Sequence, residues 1–174
     1  MLTRSDALLF GIIILVVVEI VLFIRKNKIT RNIIIGLLIM YLTLALSVTL
    51  FPIPFQEMYD SGYTHNFIPF KSIVSSINAG IRPFVSSVLG NVVLTMPFGF
   101  LMTILVKNKS FKNVLIFIIS FTVIIEALQF CIGLWVGYWY RNVDVDDLIL
   151  NTIGGIIGWG IYRITPRKLI CIFE

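Results

Sequence analysis

Acidic and amide side chains recur near the C-terminal end of the sequence, immediately before a glycine-rich apolar segment. Asp144, Asp147 and Asn151 follow the spacing i, i+3 and i+7, so they share one face if a helix begins that early. Arg141 precedes them and could bind carboxylate or other anionic groups. Capping of the helix N-terminus also explains Asp144, and we prefer it for Asp146, which lies off that face. Polar groups at the edge of an apolar segment are costly, which indicates a binding or catalytic task.

A second polar pair, Glu126 and Gln129, interrupts an otherwise apolar segment. The spacing of three residues places both side chains on one helix face, which we expect to point into the protein. A carboxylate inside a membrane is either protonated or paired with a cation, and Arg141 is the most available partner. A structural ion pair that fixes helix register explains Glu126 as well as a functional site does. If the site is catalytic, Glu126 or Asp147 is the candidate general acid or base.

Two further segments combine an amide with proline. Asn91 is followed by Pro97 and Gly99, and the proline should kink the helix because it removes a backbone donor. For Asn91 taken alone, a hydrogen bond between helices is favoured over contact with a ligand. Residues 66–70, which begin at Asn66, are apolar enough to dip into the membrane interface. They predict either an aromatic anchor or a binding loop.

The composition places these residues in a membrane protein. Of 174 residues, 58% are hydrophobic and 13% are charged, and the mean hydropathy is +0.98, more than a soluble domain of this size can bury. We predict an all-α, polytopic membrane protein with a single membrane domain over residues 1–174. Five segments can cross roughly 30 Å of hydrocarbon as helices: 7–24, 33–51, 85–106, 114–134 and 148–164. The first lacks a basic leader and a cleavage site, so we expect a retained helix.

The charges of the connecting segments predict an orientation, because short loops rich in Lys and Arg stay in the cytoplasm. Basic residues follow the first, third and fifth segments: Arg25, Lys26, Lys28 and Arg31; Lys107, Lys109 and Lys112; Arg163, Arg167 and Lys168. In the other two connections, Glu57 and Asp60 balance two basic residues, and three aspartates outweigh Arg141. We therefore expect five transmembrane helices with the N-terminus outside and the C-terminus cytoplasmic. The net charge of +5 is divided among short loops, which argues against nucleic-acid binding.

This topology brings polar residues from different segments to one level near the outer face. The third and fifth segments run inward and the fourth runs outward, so their polar side chains meet in the outer half of the bilayer. We expect an outward-facing polar pocket, covered by residues 66–70 and by the aromatic side chains at 135 and 138–140, although aromatic residues there also form membrane belts. The predicted ligand-binding residues are Asn66, Asn91, Glu126, Gln129, Arg141, Asp144, Asp147 and Asn151.

Other kinds of site have little support in the sequence. Cys131 and Cys171 fall at opposite membrane faces, so no disulfide is expected. The sequence has one His and no zinc-binding, nucleophile or phosphate-binding motif, so we predict neither a metal nor a cofactor. Gly154 and Gly158 form a GxxxG motif, which usually mediates helix packing and could support a homodimer.

Four short motifs occur in an order and spacing that resemble the VanZ-like family of bacterial membrane proteins. They are Asn66-Phe-Ile-Pro69-Phe70; Asn91 followed by Pro97-Phe-Gly99; Glu126-x-x-Gln129; and Arg141-x-x-Asp144-x-x-Asp147-x-x-x-Asn151-x-x-Gly154-Gly155. The resemblance covers approximately residues 41–163. One departure is Thr95-Met96 before Pro97, where the family more often has a bulky aromatic residue in the first position. We expect this departure to change local packing only.

The resemblance implies a multi-pass protein of the bacterial cell membrane with a role in resistance to glycopeptide antibiotics, above all teicoplanin. We favour a protein without enzymatic activity whose pocket binds a lipid-linked cell-wall precursor, another membrane lipid head group or the lipidated antibiotic. In that hypothesis Arg141 contacts anionic groups, and the other polar residues form hydrogen bonds with the ligand. The alternative is an intramembrane enzyme that modifies a lipid-linked envelope substrate. A small transporter ranks last, because the sequence shows no inverted repeat.

Overall fold

The computed structural model describes residues 1–26, 28–53, 65–139 and 141–170. Within these ranges the helices are α1 (Arg4–Ile24), α2 (Ile29–Thr49), α3 (Lys71–Asn78), α4 (Ile81–Leu105), α5 (Phe111–Val136), α6 (Val145–Ile164) and α7 (Arg167–Ile170). Apart from two isolated β-bridges, the described residues form no strand. The predicted all-α class is confirmed. Glu57, Asp60, Tyr140 and Cys171, which entered the sequence predictions, lie outside the described residues.

Among the described residues, four helices are long and apolar enough to cross a membrane: α1, α2, α4 and α5. They correspond to the first four predicted segments. The fifth predicted segment forms α6, which has 20 residues but is not among these four. Polar residues reduce its apolar character, because Asp146, Asp147 and Asn151 lie in its first two turns. The helix begins at Val145 rather than at residue 148 because Asp144 caps it.

Helix α4 changes geometry along its length. It begins with an α-helical stretch (Ile81–Pro83), continues as a π-helix (Phe84–Leu89) and ends as a regular α-helix (Gly90–Leu105). Pro97 lies inside the regular part. The π-helix is rare in proteins, occurs mostly as a single turn inside an α-helix, and is frequent at functional sites. The predicted helix began at residue 85, so the sequence reading placed its start inside the irregular part.

The helix ends that surround the polar residues meet at one end of the bundle, which we call the Asn66 end. Leu2 and Ile53 form an antiparallel bridge with N–O distances of 3.0 and 2.9 Å, which joins the start of α1 to the chain after α2. Arg141 links the same region to α6, because its guanidinium group donates to the carbonyls of Val48 and Phe51 at 3.1 Å. The starts of α1 and α6 therefore lie beside the end of α2.

Helices α4 and α6 approach so closely that backbone meets backbone. A Cβ atom on Gly99 would overlap the carbonyl of Gly155, and one on Gly154 would overlap the carbonyl of Val92. Gly158 packs in the same way on the carbonyl of Met96. These glycines are buried within the chain. A homodimer through Gly154 and Gly158, predicted above, would have to displace α4 from α6.

The apolar core lies beside this contact, between α4, α5 and α2. The rings of Phe98 and Phe121 stack with centroids 4.1 Å apart, and Tyr41 packs against both. Ile118 of α5 fills the space above Gly155. The opposite faces of the long helices carry exposed apolar side chains, as expected for helices that contact lipid.

We expect Gly158→Ala to destabilise the protein, because its methyl group would strike the Met96 carbonyl. Overpacking of this kind costs about 1–3 kcal/mol. The matched control is Gly160→Ala on the same helix, where no atom lies within 4 Å of the added Cβ. Thermal unfolding of both variants in detergent, followed by tryptophan fluorescence, checks the difference. Equal melting temperatures for the two variants would contradict the close approach of α4 and α6.

Candidate functional site

The chain before α3 is joined to the start of α6 by a short parallel bridge. Asn66 N–H donates to Val143 O at 3.0 Å, and Val145 N–H donates to Asn66 O at 3.0 Å. The Asn66 side chain reinforces the bridge, since its Nδ2 donates to Asp144 Oδ1 at 2.9 Å. The same Asp144 oxygen accepts Asp146 N–H at 2.8 Å as the N-cap of α6. Asn66 and Asp144, both predicted site residues, are thus brought into direct contact.

Asp146 caps a different helix from the one we expected. Its side chain is 1% exposed, and its carboxylate accepts the backbone N–H groups of Phe70, Ser72 and Ile73 at the start of α3. We predicted that Asp146 would cap α6, but Asp144 holds that position and leaves Asp146 free to reach α3. Phe70 adopts a left-handed conformation with φ of 67°, which is strained for an aromatic residue. The Asp146 carboxylate therefore holds α3 in place through three charge-assisted hydrogen bonds.

Asn91 and Asp147 connect α4 to α6. Asn91 Nδ2 donates to Asp147 Oδ1. One turn deeper, Thr95 Oγ1 donates to Asn151 O at 2.7 Å and also lies 3.1 Å from Asn91 O. We assigned Thr95 only a packing role from the sequence. Its position four residues after Asn91, on the same helix face, was the signal that it joins the polar contact.

Glu126, Gln129 and Arg141 lie on the α2 and α5 side of the same region. Glu126 Oε2 accepts the backbone N–H of Asp144 at 3.4 Å, and Gln129 Nε2 donates to Thr49 O at 3.1 Å. The sequence analysis left Glu126 either protonated or paired with a cation, and named Arg141 as its most available partner. In the part of the chain that the structure describes, Arg141 donates instead to the exposed carbonyls at the end of α2. Those carbonyls lack helical partners and carry the negative end of the helix dipole, which favours a cation there.

A partly open cavity of about 230 Å³ lies between α3, the π-helical part of α4 and the start of α6. Its lining is mostly polar and consists of Ser72, Ile73, Ser75, Ser76, Ser87, Val88, Asn142, Asp144, Asp146, Asp147 and Leu150. Asp144 and Asp147 were predicted to line a pocket. The other predicted site residues do not line this cavity, but several of them hold its walls.

The serines and Asn142 were missed by the sequence analysis. Helix α3 alternates between serines at 72, 75 and 76 and exposed apolar residues, which include Val74 and Ile77. That amphipathic pattern in a short helix between two apolar segments could have revealed a polar wall. Ser87 carried no such signal, because the π-helical turn that directs it to the cavity is not visible in the spacing.

Trp135 and Trp139, two of the aromatic residues expected to cover the pocket, do not line this cavity. Trp139 lies against Gly133 and meets the ring of His65 edge-on, with centroids 4.2 Å apart. Phe67 and Phe130 complete that group. Trp135 is largely exposed. Within the described residues, no group of three or more His, Cys, Asp and Glu side chains is arranged to hold a metal ion.

We expect Asp146→Ala to release the start of α3 while the rest of the bundle stays folded. Each lost hydrogen bond to a carboxylate is worth about 1.5–3 kcal/mol, so the amides of Ser72 and Ile73 should exchange with solvent at least tenfold faster. Hydrogen exchange followed by mass spectrometry on peptides from residues 65–78 measures this. Asp147→Ala is the control, because the hydrogen bond of Asp147 goes to Asn91 and not to α3. Unchanged exchange in Asp146→Ala would show that α3 is held by other contacts.

Comparison with known proteins agrees with the resemblance of the motifs. The chain matches the VanZ/LLP1 family over residues 38–166, a range that contains all the predicted site residues. It is 22% identical over 134 residues to Protein VanZ from Enterococcus faecium, with 77% of this chain and 76% of that protein covered. No solved structure matches the chain. With its four apolar helices, the chain is a helical membrane protein that belongs to the VanZ/LLP1 family.

Proposed function

We propose that this protein contributes to resistance against glycopeptide antibiotics of the teicoplanin type by binding an amphipathic ligand at the Asn66 end. The ligand is a lipid-linked head group of the cell envelope or the lipidated antibiotic itself. Membership of the VanZ/LLP1 family supports the resistance role. The observation that carries the binding mechanism is the polar cavity between α3, α4 and α6, next to an apolar surface.

Helix α3 offers two chemically different surfaces to such a ligand. Ser72 and Ser76 line the cavity, whereas Phe70, Val74 and Ile77 expose 60%, 52% and 54% of their surface outside it. A head group could form hydrogen bonds in the cavity while its acyl chain follows the apolar side chains into the outer leaflet. This division of surfaces suits an amphipathic molecule better than a fully soluble one.

The predicted site residues divide into three groups under this proposal. Asp144 and Asp147 line the cavity and contact the head group. Asn66 and Asn91 orient those two carboxylates through hydrogen bonds. The remaining predicted residues lie outside the cavity lining and stabilise the chain segments around it: Glu126, Gln129, Arg141 and Asn151. Arg141 in this proposal fixes the end of α2 against the start of α6 and does not bind an anionic group directly.

We also propose that α6 is a fifth transmembrane helix, with the N-terminus outside. Asp147 and Asn151 face α4, and the buried glycines at 154, 155 and 158 face α4 or α5, so the lipid would meet mainly the apolar side chains of α6. The basic residues that follow α1, α4 and α6 then all lie in the cytoplasm, in agreement with the positive-inside rule. The Asn66 end and its cavity face outward, where cell-wall precursors and the antibiotic are found.

We expect Asp147→Asn to remove most of the protection against teicoplanin. Asparagine keeps an oxygen that accepts the hydrogen bond from Asn91 but replaces the acidic group presented to the ligand with an amide. The measurement is the minimal inhibitory concentration of teicoplanin and vancomycin in a sensitive Gram-positive host that expresses each variant at equal membrane levels. Asp6→Asn serves as the control, since Asp6 caps α1 away from the cavity lining. A wild-type chain without any protective effect would refute the proposed role.

The orientation is tested by labelling single cysteines in a chain that carries Cys131→Ser and Cys171→Ser. A membrane-impermeant maleimide should label Ser5→Cys in intact cells, because Ser5 lies at the start of α1 on the outer side. Asn108→Cys and Leu169→Cys should react only after the membrane is permeabilised, because both follow a helix that ends in the cytoplasm. Labelling of Leu169→Cys in intact cells would show that α6 does not cross the membrane.

A further inference from the structure

Three of the four serines in the cavity lining have hydroxyl groups without a hydrogen-bond partner among the described residues: Ser75, Ser76 and Ser87. Serine hydroxyls in helices commonly donate to a carbonyl three or four residues earlier, as Ser47 and Ser86 do here. A hydroxyl that is not used in this way offers a ligand one donor and two acceptors. The cavity wall therefore has donors and acceptors that the described part of the protein leaves unused.

Two carboxyl groups in the same lining have one oxygen bound within the protein and one oxygen free. Asp144 Oδ1 accepts hydrogen bonds from Asn66 and Asp146, and Asp147 Oδ1 accepts one from Asn91. The Oδ2 atoms of Asp144 and Asp147 have no hydrogen-bond partner among the described residues. An ionised carboxyl group only accepts hydrogen bonds, and a protonated one also donates. A ligand hydroxyl, which does both, therefore suits these oxygens in either protonation state.

Each wall of the cavity also carries one apolar side chain: Ile73 on α3, Val88 on the π-helical part of α4 and Leu150 on α6. Every wall thus combines an apolar side chain with hydroxyl or carboxyl groups. A sugar ring has the same division, because its hydroxyl groups both donate and accept while its C–H groups are apolar. An ammonium group only donates, and a phosphate group mainly accepts. The lining therefore matches an uncharged sugar better than either ion.

We propose that the cavity binds an uncharged sugar ring carried by an amphipathic molecule. The hydroxyls of Ser75, Ser76 and Ser87 exchange hydrogen bonds with the sugar, and the free oxygens of Asp144 and Asp147 bind further hydroxyl groups of the same ring. This inference rests on the proposed function and names the chemical class of its head group. The cavity of about 230 Å³ has the volume of about eight water molecules at roughly 30 Å³ each. It therefore holds a single ring, while the apolar chain follows the exposed apolar side of α3.

The test compares amphiphiles that share one octyl chain and differ in the head group. Octyl glucoside and octyl galactoside carry an uncharged sugar, tetraethylene glycol monooctyl ether is uncharged with a single hydroxyl group, and octyl phosphate and octylammonium are charged. Binding to the purified full chain in phosphatidylcholine nanodiscs is measured by calorimetry below the micelle concentration, with empty nanodiscs as the blank. We expect one of the octyl sugars to bind at least tenfold more tightly than the other three compounds. The methyl glycoside of that sugar should bind at least tenfold more weakly, because it lacks the chain that contacts α3.

Ser87→Ala and Ser86→Ala form a matched pair in the π-helical part of α4. Ser87 lines the cavity, whereas Ser86 is not in the described lining and donates to the carbonyls of Arg82 and Pro83 at 2.9 and 3.3 Å. Ser87→Ala should weaken binding of the octyl sugar about threefold to tenfold, as expected for the loss of one hydrogen bond between uncharged groups. Ser86→Ala should change it by less than about twofold. Equal losses in the two variants would contradict the assigned contact.

The inference would be overturned if a charged compound or the glycol ether bound as tightly as the octyl sugars, or if neither octyl sugar bound. Equal binding of the methyl glycoside would also overturn it, because the ligand would then be a free sugar. These comparisons need only the wild-type chain, and the resistance assay is independent of them. A chain that selects an octyl sugar but gives no protection against teicoplanin would refute the proposed function and leave the ligand class intact. Protection without selectivity for the sugar would refute this inference alone.

Discussion

The structure depends on the requirement that backbone polar groups inside or beside a membrane find protein partners. At the Asn66 end the chain leaves the helical bundle, forms a short helix and returns, which exposes the N–H groups at the start of α3. The carboxylate of Asp146 satisfies those groups, and Asp144 does the same for α6. Two aspartates separated by one residue thus cap two different helices. The cavity exists because both helix starts are fixed to the same short segment.

The close contact between α4 and α6 determines which polar residues meet. Glycine at 99, 154 and 158 lets the two backbones touch, with no side chain between them. At that distance the short side chains of Asn91 and Thr95 reach Asp147 and the backbone of Asn151. Larger residues at the glycine positions would separate the helices and lengthen these hydrogen bonds. The glycines therefore set the distance between α4 and α6 at which the hydrogen bonds of Asn91 and Thr95 can form.

The acidic residues near α6 have different tasks although they look alike in the sequence. The Asp146 carboxylate accepts the N–H groups at the start of α3. Asp144 caps α6 and also lines the cavity. Asp147 accepts a hydrogen bond from Asn91 on α4. Arg141, the nearest cation in sequence, is bound to the end of α2. Among the described residues, Arg141 therefore does not line the cavity beside these carboxylates.

The sequence by itself determined the helical class and four of the apolar helices, because hydropathy and helical periodicity are local properties. The family followed from motif order and spacing. Only the tertiary structure decided that Asp146 caps α3, that Arg141 binds α2, and that serines of α3 face the cavity. Those outcomes depend on how the segment around residues 65–78 folds back onto α6. A contact between residues more than 70 positions apart leaves no periodic trace in the sequence, since it depends on the path of the whole chain.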